Sequence, residues 1–266
     1  AGGVVELGFG LAAEQLEQGV RYVSAAGQQE WTCPQLETCR YVTVRLWNWP
    51  EPAELDSVSL LERRVLVPTL NSFDTPESLA AVWQTGHATL TSCRQEVYRL
   101  GPRAGSADWL RLGPVALNGY ALHADYQTAG TTLEVCAPPA AEPTTAAQAW
   151  AWVIALDAHY QHSGDRPLLL GLLPRVEQVV RAAAAHGPEA AASGGPQRLP
   201  AAACAPLHAA MLDAAARLAR AVGKRDAAKA WEQARARVRR QLQRAWVPAR
   251  GLFGGDGPDA APAGEL

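Results

Sequence analysis

EVYRLGPRAGSADWLRLGPVALN, residues Glu96–Asn118, is the stretch whose reading decides how the rest of the chain is understood. It sets Gly101-Pro102 and Gly113-Pro114 around Arg103, Asp108 and Trp109, between two runs that read as helices. A Gly-Pro pair interrupts regular structure, because Gly is conformationally loose and Pro has no N–H to give. The segment is too irregular for packing filler and too apolar at its flanks for a free linker. It reads as a site loop, and its single carboxylate after Glu96 is Asp108.

Outward from that loop, the bulk numbers narrow the classes. With 266 residues, 48% of them hydrophobic, the chain can bury the core of one large domain or two smaller ones. Lys+Arg 24 against Asp+Glu 26 gives a net charge of −2 with no basic stripe, which argues against nucleic acid and against an anionic membrane surface. No apolar run reaches the roughly 20 residues that span a bilayer. A neutral small molecule is therefore the default partner. Cys33, Cys39, Cys93, Cys136 and Cys204 are odd in number and scattered, which speaks against a zinc site and against a disulfide framework. A Cys33–Cys39 bridge and free thiols both stay open, as do compartment and oligomeric state.

Upstream, residues 1–70 have β character. Val4–Gly10 starts as a strand, Tyr41–Trp47 alternates apolar and polar residues as a half-buried strand should, and Ser57–Val65 reads as a third. So few strands leave both sheet edges unpaired, so this block reads as the end of a sheet domain. From Ser72 the period lengthens to that of a helix. Asp74 or Thr75 followed by Pro76 is a helix start, and Leu79, Val82, Trp83, Gly86 and Leu90 fall on one face. Further helices are expected over Val115–Thr128, Thr144–His162, Pro167–Ala185, Pro206–Val222 and Lys224–Trp246. Gly164-Asp165 and Gly223 make short joints, which implies antiparallel hairpins. Residues 186–200 predict a mobile loop and residues 254–266 a flexible tail, both being rich in Ala, Gly and Pro.

These features together resemble glycoside hydrolase family 78, the α-L-rhamnosidases. The opening stretch is similar to that family's acid motif, Arg40-Tyr41-Val42 to the end of its jelly-roll domain, Ala151–Asp165 to a barrel helix ending in an aromatic-x-x-Thr/Ser-Gly-Asp turn, and Ala209–Phe253 to a later hairpin with the turn that follows it. The resemblance implies the C-terminal part of a jelly-roll-like β-sandwich over 1–70, then about half of an (α/α)6 barrel over 71–253, the chain being a fragment or a shortened relative. It implies inverting hydrolysis of terminal α-L-rhamnosides, a carbohydrate or glycoside ligand, and no cofactor. Inversion needs two carboxyl groups roughly 6.5–9.5 Å apart. Here the motif's acid positions hold Leu100, Ala104, Gly105, Ser106 and Pro114, and the half that carries the family's base lies beyond the chain.

The remaining candidates are few. Asp108 is the catalytic candidate, an acid that Trp109 would desolvate if the loop is reregistered; a helix N-cap or a bond to a sugar hydroxyl are the alternatives. Arg103 would orient a hydroxyl, or is a solvated loop arginine. Trp109, Trp150 and Trp152 are candidate sugar-stacking side chains; the latter two sit on opposite helix faces, and both being core is the plain alternative. His159 and His162 with Asp157 and Asp165 have metal-like spacing but no third ligand, so no metal is expected. Glu96 and Tyr98 precede the loop and would line it. No G-x-G-x-x-G, P-loop, G-x-S-x-G or H-E-x-x-H is present. A non-catalytic carbohydrate or small-molecule binder on the same scaffold, or an unrelated helical interaction domain, are the competing readings.

Overall fold

The computed structural model describes residues 2–10, 12, 18–34, 39–49, 54–61, 76–100, 108–138, 145–187, 201–247 and 252–253. The chain divides into two compact units, Ala1–Arg63 and Arg64–Leu266.

The first unit is built on one antiparallel sheet. β1 (Val4–Gly10) lies between β2 (Gln18–Val23) and β3 (Tyr41–Trp47), in the order β2-β1-β3. β1 and β3 form where β-branched and aromatic alternation predicts them. The register puts Glu6 opposite both Arg21 and Arg45, and Glu6 also accepts a hydrogen bond from Trp47 Nε1 at 2.9 Å. Ser24 closes the end of β2 by donating its N–H and Oγ to Gly3 O, each at 2.9 Å. The expected third strand is corrected. Residues 57–61 are not strand, and Leu60 and Leu61 are 78% and 77% exposed, while residues 62–65 lie outside the described set. The third strand is β2, whose Val20, Tyr22 and Val23 carry a strand propensity that was passed over. Its register on β1 is set by cross-strand pairing.

The second unit has seven described helices: α1 (Glu77–Cys93), α2 (Trp109–His123), α3 (Tyr126–Val135), α4 (Ala146–Ser163), α5 (Arg166–His186), α6 (Ala201–Ala221) and α7 (Arg225–Ala245). β4 (Trp246–Val247) and β5 (Leu252–Phe253) pair after them. α1 starts behind Pro76, one residue later than read, and Asp74 and Thr75 lie outside the described residues. Of its expected face only Leu90 is buried; Leu79 and Val82 are 52% and 68% exposed.

The single helix expected over Val115–Thr128 is instead two. Ala124 takes a left-handed φ of 48° and ends α2, and the Asp125 side chain accepts from Thr128 N to start α3. A non-glycine residue in that conformation leaves no signal in the sequence. The proline boundaries also shift. Gly113-Pro114 lies inside α2 and Pro206 inside α6, which begins at Ala201 because its alanine-rich start favours helix. α5 carries the expected Asp165 cap, with Leu168 N donating at 3.0 Å, behind a left-handed Gly164.

α4 is the hub. It packs against α2 and α6, while α3 covers the α2/α4 seam, α5 covers the α4/α6 seam, and α7 lies on α6. Helices α2, α4 and α6 thus form one layer and α3, α5 and α7 the other. Trp150, Trp152, Val153 and Leu156 of α4 are at most 1% exposed, and meet Leu133, Leu169, Met211 and Leu218 in the same core. None of the five cysteines forms a disulfide.

Candidate functional site

The layer α2, α4, α6 has two unlike ends. Its helices end in short turns, 124–125, 164–165 and 222–224, and begin after long connections, 94–108, 136–145 and 187–200. Binding residues concentrate where long segments are held by a rigid scaffold, so the starts of α2 and α4 are the candidate site.

Asp108 stands immediately before α2. Its side chain makes no cap bond to an α2 backbone N–H; Oδ1 accepts from Gln148 Nε2 in the first turn of α4 at 2.9 Å, and Oδ2 pairs with Arg111 Nε on α2 at 3.5 Å. Gln148 Oε1 in turn accepts from Leu110 N at 3.3 Å, so the two helix starts lie side by side. Thr145 caps α4 through Gln148 N at 3.4 Å. The arrangement is polar and partly open, the Asp108 side chain being 14% exposed. An amide donor and a guanidinium around one carboxyl group suit an acceptor role.

The other sequence candidates fall in different places. Trp109 is 2% exposed and donates Nε1 to Cys136 O at 2.9 Å. Trp152 is fully buried and donates to Leu133 O at 3.0 Å, and Trp150, 1% exposed, stacks on His208 at 4.8 Å. All three rings are enclosed by protein and turn no face to the rim. Arg103 lies outside the described residues. Glu96 is exposed, whereas Tyr98 is buried across Gly119 of α2, where a Cβ would overlap its hydroxyl. Asp165 is a cap, and His159 Nδ1 shares a 3.0 Å hydrogen bond with Tyr120 Oη. Among the described residues no group of three His, Cys, Asp or Glu side chains could hold a metal.

Two polar networks were missed, one buried and one half-exposed. In one, Asp125 pairs with Arg94 through both Nε and Nη2, accepts from Tyr98 Oη at 2.7 Å, and caps α3, while Tyr98 N donates to Thr132 Oγ1 at 2.8 Å. Burial alone would raise the Asp125 carboxyl, but the bonds from Arg94, Tyr98 and Thr128 outweigh it and hold the group below the usual carboxylate range. Burial pushes the phenols of Tyr98 and Tyr120 upward, keeping both neutral. The Asp125-x-x-Thr128 capping spacing was the one available signal. In the other network Arg217 of α6 joins Asp157 of α4, at 2.7 Å, to Asp213, and Asp213 pairs with Arg235 of α7. Burial raises Asp157 against the pull of Arg217; Asp213, also desolvated, is held low by its two guanidiniums. With Arg217 already between them, these carboxylates tie helices together and are not an open acid–base pair.

No protein-family model and no curated protein matches the chain. Solved structures do. A glycoside hydrolase family 78 rhamnosidase of Bacillus sp. GL1 matches with a TM-score of 0.72 at 17% identity, over 97% of this chain and 31% of that one. A rhamnosidase from Klebsiella oxytoca, solved with rhamnose bound, matches with a TM-score of 0.62 at 17% identity, over 96% of this chain and 60% of that one. The chain has a family 78-like fold, and it spans about a third of the first neighbour and three fifths of the second.

Proposed function

We propose that this chain is part of an α-L-rhamnosidase-like glycoside hydrolase scaffold, its helices the first arc of an (α/α)6 barrel and its sheet the end of a jelly-roll-like sandwich. In this reading the starts of α2 and α4 hold a glycoside, and the described residues offer no complete inverting pair of carboxyl groups. The observation that carries it is the Asp108–Gln148 bond at the long-connection end of a fold shared with rhamnosidases. A hydroxyl-rich sugar needs fixed acceptors and donors there, and Asp108, Gln148 and Arg111 are both. Asp108 is the catalytic candidate of this reading, with Arg103 as a hydroxyl-orienting side chain.

A second reading, a non-catalytic carbohydrate or small-molecule binder, draws on the same carboxylate. A general acid must present its proton to the leaving oxygen, and Asp108 instead faces two donors. The test is an aryl α-L-rhamnoside assay on the 266-residue chain, alongside saturation-transfer NMR with rhamnose, for the parent and Asp108→Asn. Binding without aryl release, weakened in Asp108→Asn, is expected. Release that disappears in Asp108→Asn would make Asp108 the acid and overturn the incompleteness. Absence of rhamnose binding would sink the glycoside reading.

A further inference from the structure

The groove between α6 and α7 carries chemistry that this reading does not use. It is open to solvent, has a volume of about 450 Å³, and is lined by Arg220 of α6 and by Arg235, Arg239 and Arg240 of α7 with Glu232 and Gln243. α7 alone brings seven basic and two acidic residues, RDAAKAWEQARARVRRQLQRA, in a chain whose net charge is −2. The even bulk charge hid this: the basic residues are a helix-period stripe, not a run.

Two of the four guanidiniums are engaged, Arg220 by Glu232 and Arg235 by Asp213. Arg239 and Arg240 are exposed and have no acidic partner among the described residues. From Glu232 to Gln243 the stripe extends about 16 Å, and its guanidiniums, on Arg235, Arg239 and Arg240, fall within about one and a half turns. One small oxyanion would occupy only a pair of such forks, whereas three of them with Arg220 beside suit more than one anionic group. The lining has no aromatic ring for a nucleobase to stack on. Glu232 and the Gln243 amide accept hydrogen bonds from hydroxyls, which a sugar chain carries and a deoxyribose–phosphate backbone lacks.

We propose that this groove binds an acidic oligosaccharide, a sugar chain bearing carboxylate or sulfate groups, with Arg239 and Arg240 as its principal anchors. The choice of a sugar chain rests on the glycoside reading above; the anion selectivity rests on the groove. Because α6 and α7 run antiparallel across Gly223, the Gln243 end of the groove lies toward the start of α6, the end reached by the long connections. A sugar chain lying in it runs toward the candidate site.

The experiment is calorimetric titration of the full chain with an alginate hexasaccharide, a sulfated dextran hexasaccharide, neutral maltohexaose, inorganic sulfate and a thymidine oligonucleotide, at low and high salt. At least one acidic hexasaccharide binds, more weakly at high salt because exposed charges are screened, and whichever binds tighter identifies the anionic group. The double variant Arg239→Gln/Arg240→Gln loses about tenfold or more in affinity, the scale of one or two charge-assisted bonds, while its circular dichroism and melting stay unchanged. Failure of both acidic sugars to bind, binding indifferent to the variant, equal binding of maltohexaose or sulfate, or tighter variant-sensitive binding of the oligonucleotide would each overturn the proposal. Rhamnose binding at Asp108, followed separately by NMR, distinguishes failure of the groove from failure of the rhamnoside reading.

Discussion

At one end of the helical unit, α2, α4 and α6 turn over into α3, α5 and α7 through Ala124-Asp125, Gly164-Asp165 and residues 222–224; at the other, each of the three begins after a long connection. The turn end is closed by its own chemistry. Asp125 and Asp165 cap the next helix, Gly164 and Gly223 take positive φ, and Arg94, Tyr98 and Thr128 converge on Asp125. At the long-connection end, side chains bond across neighbouring helix starts, as Gln148 does to Asp108. The difference teaches that stability is concentrated in the middle and the turn end, leaving the other end free to vary its surface.

The largest effect expected is at the middle of the layer. Trp152→Ala removes a fully buried indole and should cost about 4 kcal/mol, within the range for large-to-small core changes, read by urea denaturation. A shift under 1 kcal/mol, accompanied by lost sugar binding, would instead put Trp152 at the rim and break the comparison.

Asp125→Ala comes next. It leaves Arg94 and Tyr98 buried without their acceptor, and should cost about 3 kcal/mol, as breaking one side of a buried pair does. Since the folded Asp125 sits below its unbound value of 3.8, its contribution is fully present above that pH and is lost as pH falls through the lower folded value. The parent's acid-unfolding curve should therefore be steeper below pH 3.8 than that of Asp125→Ala. Parallel curves would remove Asp125 from the turn end's stability.

Buried histidines extend the acid sensitivity upward. Burial lowers both His159, beside Tyr120, His162 and Asp165, and His208, beside Trp150, from the ordinary 6.5. A depressed histidine binds its proton more readily when unfolded, so stability declines as pH falls below 6.5, toward the folded values. His208→Phe should flatten that decline, followed as melting temperature against pH.

The smallest effect belongs to the long-connection end. Gln148→Ala removes the partly buried bond to Asp108 and should cost about 1 kcal/mol, yet weaken rhamnose binding seen by NMR. A larger stability loss with unchanged binding would make the Asp108–Gln148 pair a helix fastener only.

Much of this architecture was open to reading residue by residue. The alternation in Tyr41–Trp47, the caps at Asp165 and Gly164, and the helical period from α4 to α7 are local patterns, and each was placed from neighbours within a few positions. What failed was whatever depended on distant partners. α2 ends at Ala124, where Asp125 is held from Arg94 and Tyr98; Trp109, Trp150 and Trp152 are buried, the core being the plain alternative to sugar stacking for the latter two; β2 was the exception, its Val20, Tyr22 and Val23 being a local signal passed over. The basic groove likewise needed α6 and α7 side by side before the stripe on α7 acquired walls.

Sequence alone placed β1, β3 and most of the helices, because capping, turn and periodicity energies act between residues a few positions apart. Only the tertiary structure decided which aromatic rings are core and which carboxylates are already engaged. Burial and pairing are properties of the assembled layers, and no single segment contains them.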